Sequence, residues 1–227
     1  MSETRRGLVA LGDSITRGRG GSPSLGVHPQ SWAQWLAEAL ELPFTNLAAD
    51  GEVAAGVLGD QVPRLAGPYD VGALYIGAND VRGMDWDPVA YERDVTAIVT
   101  ALTAAATRVV LLTLPEDLGR PSCAPKPAQA NAALGRVATR TGATLADLAS
   151  FGGRRLVLPD IVHPTSAGQV AMADIAARAL GVPTLPSSLA RPLTAPGHVV
   201  RYEAWWARLW LRDLLRRRRE RRTASTP

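Results

Sequence analysis

A chain of 227 residues is long enough for one domain of ordinary size with something left over, and its 46% apolar content is enough for a real core. A single cysteine, Cys123, excludes an intrachain disulfide, and no Cys and His cluster has metal-ligand spacing. The net charge of +4 is uneven: residues 198–227 hold nine Arg and three acids, a net of +6, which leaves −2 on the first 197 residues. No apolar run is long enough to span a bilayer. Met1 to Arg6 run straight into the first apolar segment and leave no room for a secretory signal, so a cytoplasmic protein is expected, associated at most with the inner face of a membrane.

Leu8 to Leu11 is a short apolar run that ends at Gly12 and predicts the first strand. Residues 17–30 are rich in Gly, Ser and Pro and read as a loop. Trp32, Trp35, Leu36, Ala39 and Leu40 recur at three- and four-residue spacing, which predicts an amphipathic helix over 31–42 capped by Ser31. Phe44 to Ala48 is a second strand. A weaker helix is expected over 53–66, shortened or kinked by Pro63. Val71 to Ile76 is the third strand. Asp87 and Pro88 read as N-cap and first residue of a helix running to about Ala106, with Val89, Val95, Ile98, Val99 and Leu102 inside. Val109 to Leu114 is the fourth strand, continuous and apolar like one covered on both faces. A proline-rich loop, an Ala-rich helix over 128–141, a strand over 143–145, and a helix opened by Thr165 or Ser166 and closed by Gly181 complete the pattern.

Strands that alternate with helices five times imply a three-layer αβα sandwich around a five-stranded parallel sheet. The C-terminal ends of the strands then share one rim, where open α/β sheets bind ligands. Ser14 in Gly12-Asp13-Ser14 stands at that rim. A serine hydroxyl needs a base to become a nucleophile. Of the three histidines, His28, His163 and His198, only His163 has a carboxylate three residues before it, in Asp160-Ile161-Val162-His163-Pro164. A catalytic imidazole needs such a carboxylate to fix its tautomer. Gly51 and Gly77-Ala78-Asn79-Asp80 follow the second and third strands. The Asn79 side-chain amide and the backbone N–H groups of Gly51 and Ser14 are donors of the kind that stabilise an oxyanion. Taken singly, Gly51 is an ordinary turn glycine and Asn79 an ordinary cap.

Taken together and in order, the four blocks resemble the SGNH hydrolases, also called GDSL-type esterases and lipases, over about residues 7–181. The resemblance implies a flavodoxin-like fold. It implies Ser14 as nucleophile, His163 as general base and then acid, Asp160 as its orienting partner, and Gly51, Asn79 and the Ser14 amide as the oxyanion hole. No metal and no cofactor is implied. The expected activity is that of a serine esterase or lipase on a small-molecule acyl ester, lipid or otherwise, through an acyl-serine intermediate. Thioesters and acetylated sugars suit the same chemistry. A binding or regulatory module with little turnover, acting through its basic C-terminal helix, is the alternative. The ordinary α/β-hydrolase signature, Gly-x-Ser-x-Gly, is absent from the sequence. Asp13 and Asp80 are expected to be structural, His28 to be a loop histidine in water, and Cys123 a bystander.

Beyond the domain of 1–181, residues 182–197 read as a Pro-rich linker, 198–222 as an amphipathic Trp- and Arg-rich helix, and 223–227 as a disordered tail. Val199, Tyr202, Trp206, Trp210 and Leu214 fall on one helical stripe, widened by Trp205 and Leu209. Three readings of this helix stay open. It lies in a membrane interface; it folds back on the domain or pairs with a second copy; or it binds nucleic acid, the weakest of the three.

Overall fold

The computed structural model describes residues 6–20, 27–119, 122–190 and 198–224. Its elements follow the chain as β1 (Leu8–Gly12), α1 (Ser14–Arg17), α2 (Trp32–Ala39), β2 (Phe44–Asn46), α3 (Ala54–Gly56), β3 (Tyr69–Tyr75), α4 (Ala78–Arg82), α5 (Pro88–Ala105), β4 (Ala106–Leu112), α6 (Lys126–Thr141), β5 (Thr144–Ala146), α7 (Ser166–Ala179), α8 (Pro186–Leu189) and α9 (His198–Ala224). The five strands form one parallel sheet in the order β2-β1-β3-β4-β5. The chain moves outward from β1 to β2, then crosses back to β3 and continues to β5. With right-handed crossovers, that reversal puts α2 and α7 on one face, where they pack together, and the packed pair α5 and α6 on the other. Every residue of β1 is buried, as expected of a strand covered on both sides.

The helix starts are set by local chemistry. Ser31 caps α2 by accepting from the Gln34 N–H at 3.2 Å, and Asp87 caps α5 by accepting from Val89 and Ala90 at 2.9 and 3.1 Å. Thr165, not Ser166, caps α7, accepting from Gly168 at 3.0 Å. Two expectations about the helices of the domain need correction. Val89 is 77% exposed, because it stands about 180° around α5 from the buried Ile98. The helix expected over 53–66 is three short pieces: α3, a wide turn over Val57–Gln61 and a tight one over Val62–Arg64, in a stretch broken by Gly56, Gly59 and Pro63.

The chain does not become extended at 182. Val182 donates to the Ala177 carbonyl at 2.8 Å, and Ser187, at the start of α8, donates to Asp174 Oδ1 at 2.8 Å. The rest of the expected linker, 191–197, lies outside the described residues, as do 225–227 of the expected disordered tail and the side chain of Val199. Thr223 and Ala224 continue α9. The helix lies against the loop that precedes Asp160. Tyr202 donates from its hydroxyl to the Arg154 carbonyl at 2.8 Å. The Arg154 guanidinium pairs with Glu203 and lies 4.5 Å from the centre of the Trp206 ring. The stripe is therefore split: Tyr202, Trp206 and Leu209 turn inward, while Trp210 is exposed.

Candidate active site

The site grows from the end of β1. Gly12 has φ +145°, and a Cβ there would collide with the Tyr75 carbonyl oxygen of the neighbouring strand, so no other residue fits this close approach. Asp13 then caps α1, accepting from the Ile15 N–H at 2.9 Å. This places Ser14 in the first turn of a short helix, where the backbone N–H groups have no intrahelical partner.

His163 reaches Ser14 across 149 positions of sequence: its Nε2 lies 3.1 Å from Ser14 Oγ. Its Nδ1 lies 2.7 Å from Asp160 Oδ2. The other carboxylate oxygen of Asp160 accepts from the Val162 and His163 N–H groups at 3.0 and 3.1 Å. The aspartate thus folds the turn and orients the ring together. Burial works against its charge, but the His163 hydrogen bond and the nearby N–H groups outweigh burial and hold its pKa below the usual value. An ionised Asp160 selects the tautomer with hydrogen on Nδ1, which leaves Nε2 free to accept from the serine hydroxyl.

The loop carrying these two residues is braced from several sides. Leu158 donates to the His163 carbonyl at 2.9 Å, Gly119 to the Ile161 carbonyl at 2.8 Å, and Val157 and Pro164 form an isolated antiparallel bridge. Within it Ile161, β-branched, is held at φ +55°.

The donors expected for an oxyanion flank the same strand end. Ala49, two residues before Gly51, donates to the Gly12 carbonyl at 3.2 Å. Gly51 itself has φ +75°. Asn79 is the second residue of α4, which follows Tyr75, and Tyr75 pairs in register with Gly12. One hydrogen of the Asn79 amide goes to the Glu52 carbonyl at 2.8 Å, which fixes the side chain against the Gly51 turn and leaves the second hydrogen available. Asp50 pairs with Arg17 at 3.1 Å and Arg19 at 2.6 Å, tying that turn to the end of α1.

Several contributors are invisible in the sequence. Gln61 makes two 2.9 Å hydrogen bonds to Gly12, accepting from its N–H and donating to its carbonyl. Gln169, fully buried on α7, donates to the Ile15 carbonyl at 3.1 Å and accepts from the Trp32 N–H at 2.8 Å. Thr16 accepts from the Trp32 indole at 3.2 Å. Gln61 holds the end of β1, while Gln169 and Thr16 hold the Ser14 turn against α7 and α2.

Asp13 is 1% exposed, and burial pushes its pKa up to about 7 against the pull of the Ile15 N–H and the His163 charge. Asp80 is raised by burial as well, opposed by the Ala54 N–H, which donates to its Oδ1 at 3.0 Å. Both make the structural bonds expected of them. His28 is exposed. Cys123 donates to the Leu118 carbonyl at 3.0 Å, and burial raises its pKa, which disfavours the reactive thiolate. Among the described residues no group of His, Cys, Asp and Glu could hold a metal ion.

Two cavities lie near these residues, one reaching Asp160 and the other Asn79. One, of about 320 Å³, lies between Leu158, Pro159 and Asp160 on one side and Leu209, Arg212, Asp213 and Arg216 of α9 on the other. The second, of about 310 Å³, is bordered by Asn79, Met84, Trp86 and Tyr91.

A model of the GDSL-like Lipase/Acylhydrolase family matches residues 10–171. No curated protein sequence matches the chain. Among solved structures, LAE5, described as an alpha/beta hydrolase enzyme from the metagenome of Lake Arreo, Spain, is 23% identical with a TM-score of 0.62 over 78% of this chain and 95% of its own. Axe2, an acetylxylan esterase from Geobacillus stearothermophilus, is 20% identical with a TM-score of 0.60 over 80% of this chain and 97% of its own. TesA is 23% identical with a TM-score of 0.60 over 76% of this chain and 97% of its own. At these identities the likeness is one of fold.

Proposed function

The chain belongs to the GDSL-like lipase/acylhydrolase family, and from that premise we propose that it is a serine esterase that hydrolyses carboxylic esters, of lipids or other acyl groups, through a covalent acyl-Ser14 intermediate. The observation that carries this reading is the continuous chain from Ser14 Oγ through His163 to Asp160, at 3.1 and 2.7 Å.

In this mechanism His163 Nε2 takes the Ser14 proton as Oγ attacks the ester carbonyl. The tetrahedral intermediate carries its negative charge on the former carbonyl oxygen. The Ser14 and Gly51 N–H groups and the free hydrogen of the Asn79 amide stabilise it, each such donor being worth about 3–4 kcal/mol. Protonated His163 then gives its proton to the departing alkoxide, and the alcohol leaves. Water, deprotonated by the same imidazole, attacks the acyl-serine. The proton returns to Ser14 Oγ as the acid is released. Asp160 stays ionised throughout and stabilises the imidazolium.

The acyl and alcohol groups are a matter for experiment, because fold does not fix them. The fold likeness to an acetylxylan esterase makes short acyl esters and acetylated sugars worth testing beside long-chain esters. The test is a series of p-nitrophenyl esters from acetate to palmitate, with acetylated xylan, on wild type and Ser14→Ala. Serine-dependent turnover with one clear chain-length optimum is expected. No serine-dependent turnover anywhere in the series would favour a binding or regulatory module.

A further inference from the structure

Docking of α9 leaves a second apolar surface on the same helix. Tyr202, Trp206 and Leu209 face the Arg154–Asp160 loop. At about 100° per residue, Val200, Leu211 and Leu215 lie together on the opposite side. They are 71%, 51% and 47% exposed, and Trp210 borders them at 40%. The contact with the domain therefore leaves Val200, Leu211 and Leu215 uncovered.

The charges are sorted in the same way. Glu203 pairs with Arg154 of the domain, and Asp213 with Arg216. Arg201, Arg208 and Arg212 are exposed along one edge of the outer apolar surface, and among the described residues they make no ion pair. The sequence of the helix holds nine arginines against three acids, on a chain whose remaining residues are slightly acidic. A strip of Val, Leu and Trp edged by unpaired arginines matches a surface that is apolar below and anionic above. No helix among the described residues is long and apolar enough to cross a membrane, so such binding would be parallel to the surface.

We propose that the outward face of α9 is a docking surface for anionic lipid membranes. The inner face keeps its hold on the loop that carries Asp160 and His163, so binding brings the catalytic turn within about one helix diameter, roughly 10 Å, of the lipid headgroups. The inference is independent of the esterase reading, since it concerns binding alone.

The test is cosedimentation of the full chain with phosphatidylcholine vesicles, with and without phosphatidylglycerol. Wild type is expected to sediment with the anionic vesicles, less so as salt is raised, and hardly with the neutral ones. Leu211→Glu/Leu215→Glu is expected to weaken the anionic binding by at least roughly tenfold while keeping the far-UV spectrum and thermal melt of wild type. Four results would overturn the proposal. One is no sedimentation with either vesicle, and another is equal binding to both. The third is vesicle binding that the double substitution leaves intact, which would reduce the contact to arginine electrostatics. The fourth is a wild-type dimer in solution that the double variant turns into a monomer, which would make a second copy of the chain the occupant. Retention of single-stranded RNA without vesicle binding falls under the first and would point to nucleic acid instead.

Discussion

Gln61 holds both polar groups of Gly12 with its side-chain amide, accepting from the N–H and donating to the carbonyl at 2.9 Å each, from 49 residues away. Strand β2 ends at Asn46, before the level of Gly12. The glutamine thus gives the Gly12 N–H the acceptor that a longer β2 would have supplied. Replacing it with Leu keeps the bulk and orphans the buried Gly12 N–H, while the Gly12 carbonyl keeps Ala49 as a donor. Gln61→Leu should lower unfolding free energy by about 1–3 kcal/mol, read from urea denaturation, and lower kcat more than it changes KM.

Asp160→Asn should leave the fold intact and reduce kcat by on the order of 10³–10⁴ with little change in KM. An asparagine can present its amide hydrogens to His163 Nδ1 and so favour the tautomer that points N–H at Ser14. Kinetics on the best p-nitrophenyl ester measure this. Loss of only a few-fold would mean that the ring is oriented by other means.

Burial pushes the Asp13 pKa from its ordinary 3.8 up to about 7, and this has a thermodynamic signature. Between these values the folded chain binds a proton at Asp13 that the unfolded chain has released. The group's contribution to stability therefore falls as pH rises from about 4 to 7, and levels off above. The full loss is on the order of 4 kcal/mol. Asp13→Asn keeps the cap on the Ile15 N–H and cannot ionise. Its stability advantage over wild type should be absent near pH 3, grow through pH 5 and 6, and be constant above pH 8. Paired denaturation curves across that range would show a flat difference if Asp13 were solvated.

Arg154→Ala removes the ion pair to Glu203 and the cation over Trp206 but leaves the Arg154 carbonyl for Tyr202. Amide exchange along α9 should become roughly two- to tenfold faster, with a red shift in tryptophan emission and unchanged exchange in β1 and β3. Exchange that stays as in wild type would show that the helix is held by its other contacts.

The meeting of Ser14, His163 and Asp160 was legible in the sequence because its parts are local. Asp160 and His163 belong to one turn, and Ser14 directly follows an apolar strand that stops at a glycine. Much of the sheet was legible for the same reason, since β1, β3 and β4 are apolar runs that stop at or near Gly12, Gly77 and Pro115. What pattern could not supply were the residues whose meaning depends on distant partners. Gln61 and Gln169 look like surface amides, and only the fold brings them to the backbone of Gly12 and Ile15. Val89 looks like a core residue by its apolar character, yet its angle on the helix puts it in solvent. By sequence spacing the stripe of α9 is one face, yet the inward residues follow where Arg154 lies, and that is a tertiary fact.

The backbone at Ile161 has a bearing on how this enzyme could be engineered. A β-branched side chain at φ +55° carries a steric penalty of about 1–3 kcal/mol that glycine would not. Glycine there should therefore toughen the protein against heat. It would also loosen the hinge between Asp160 and His163, so that gains in melting temperature and losses in turnover should arrive together at this one position.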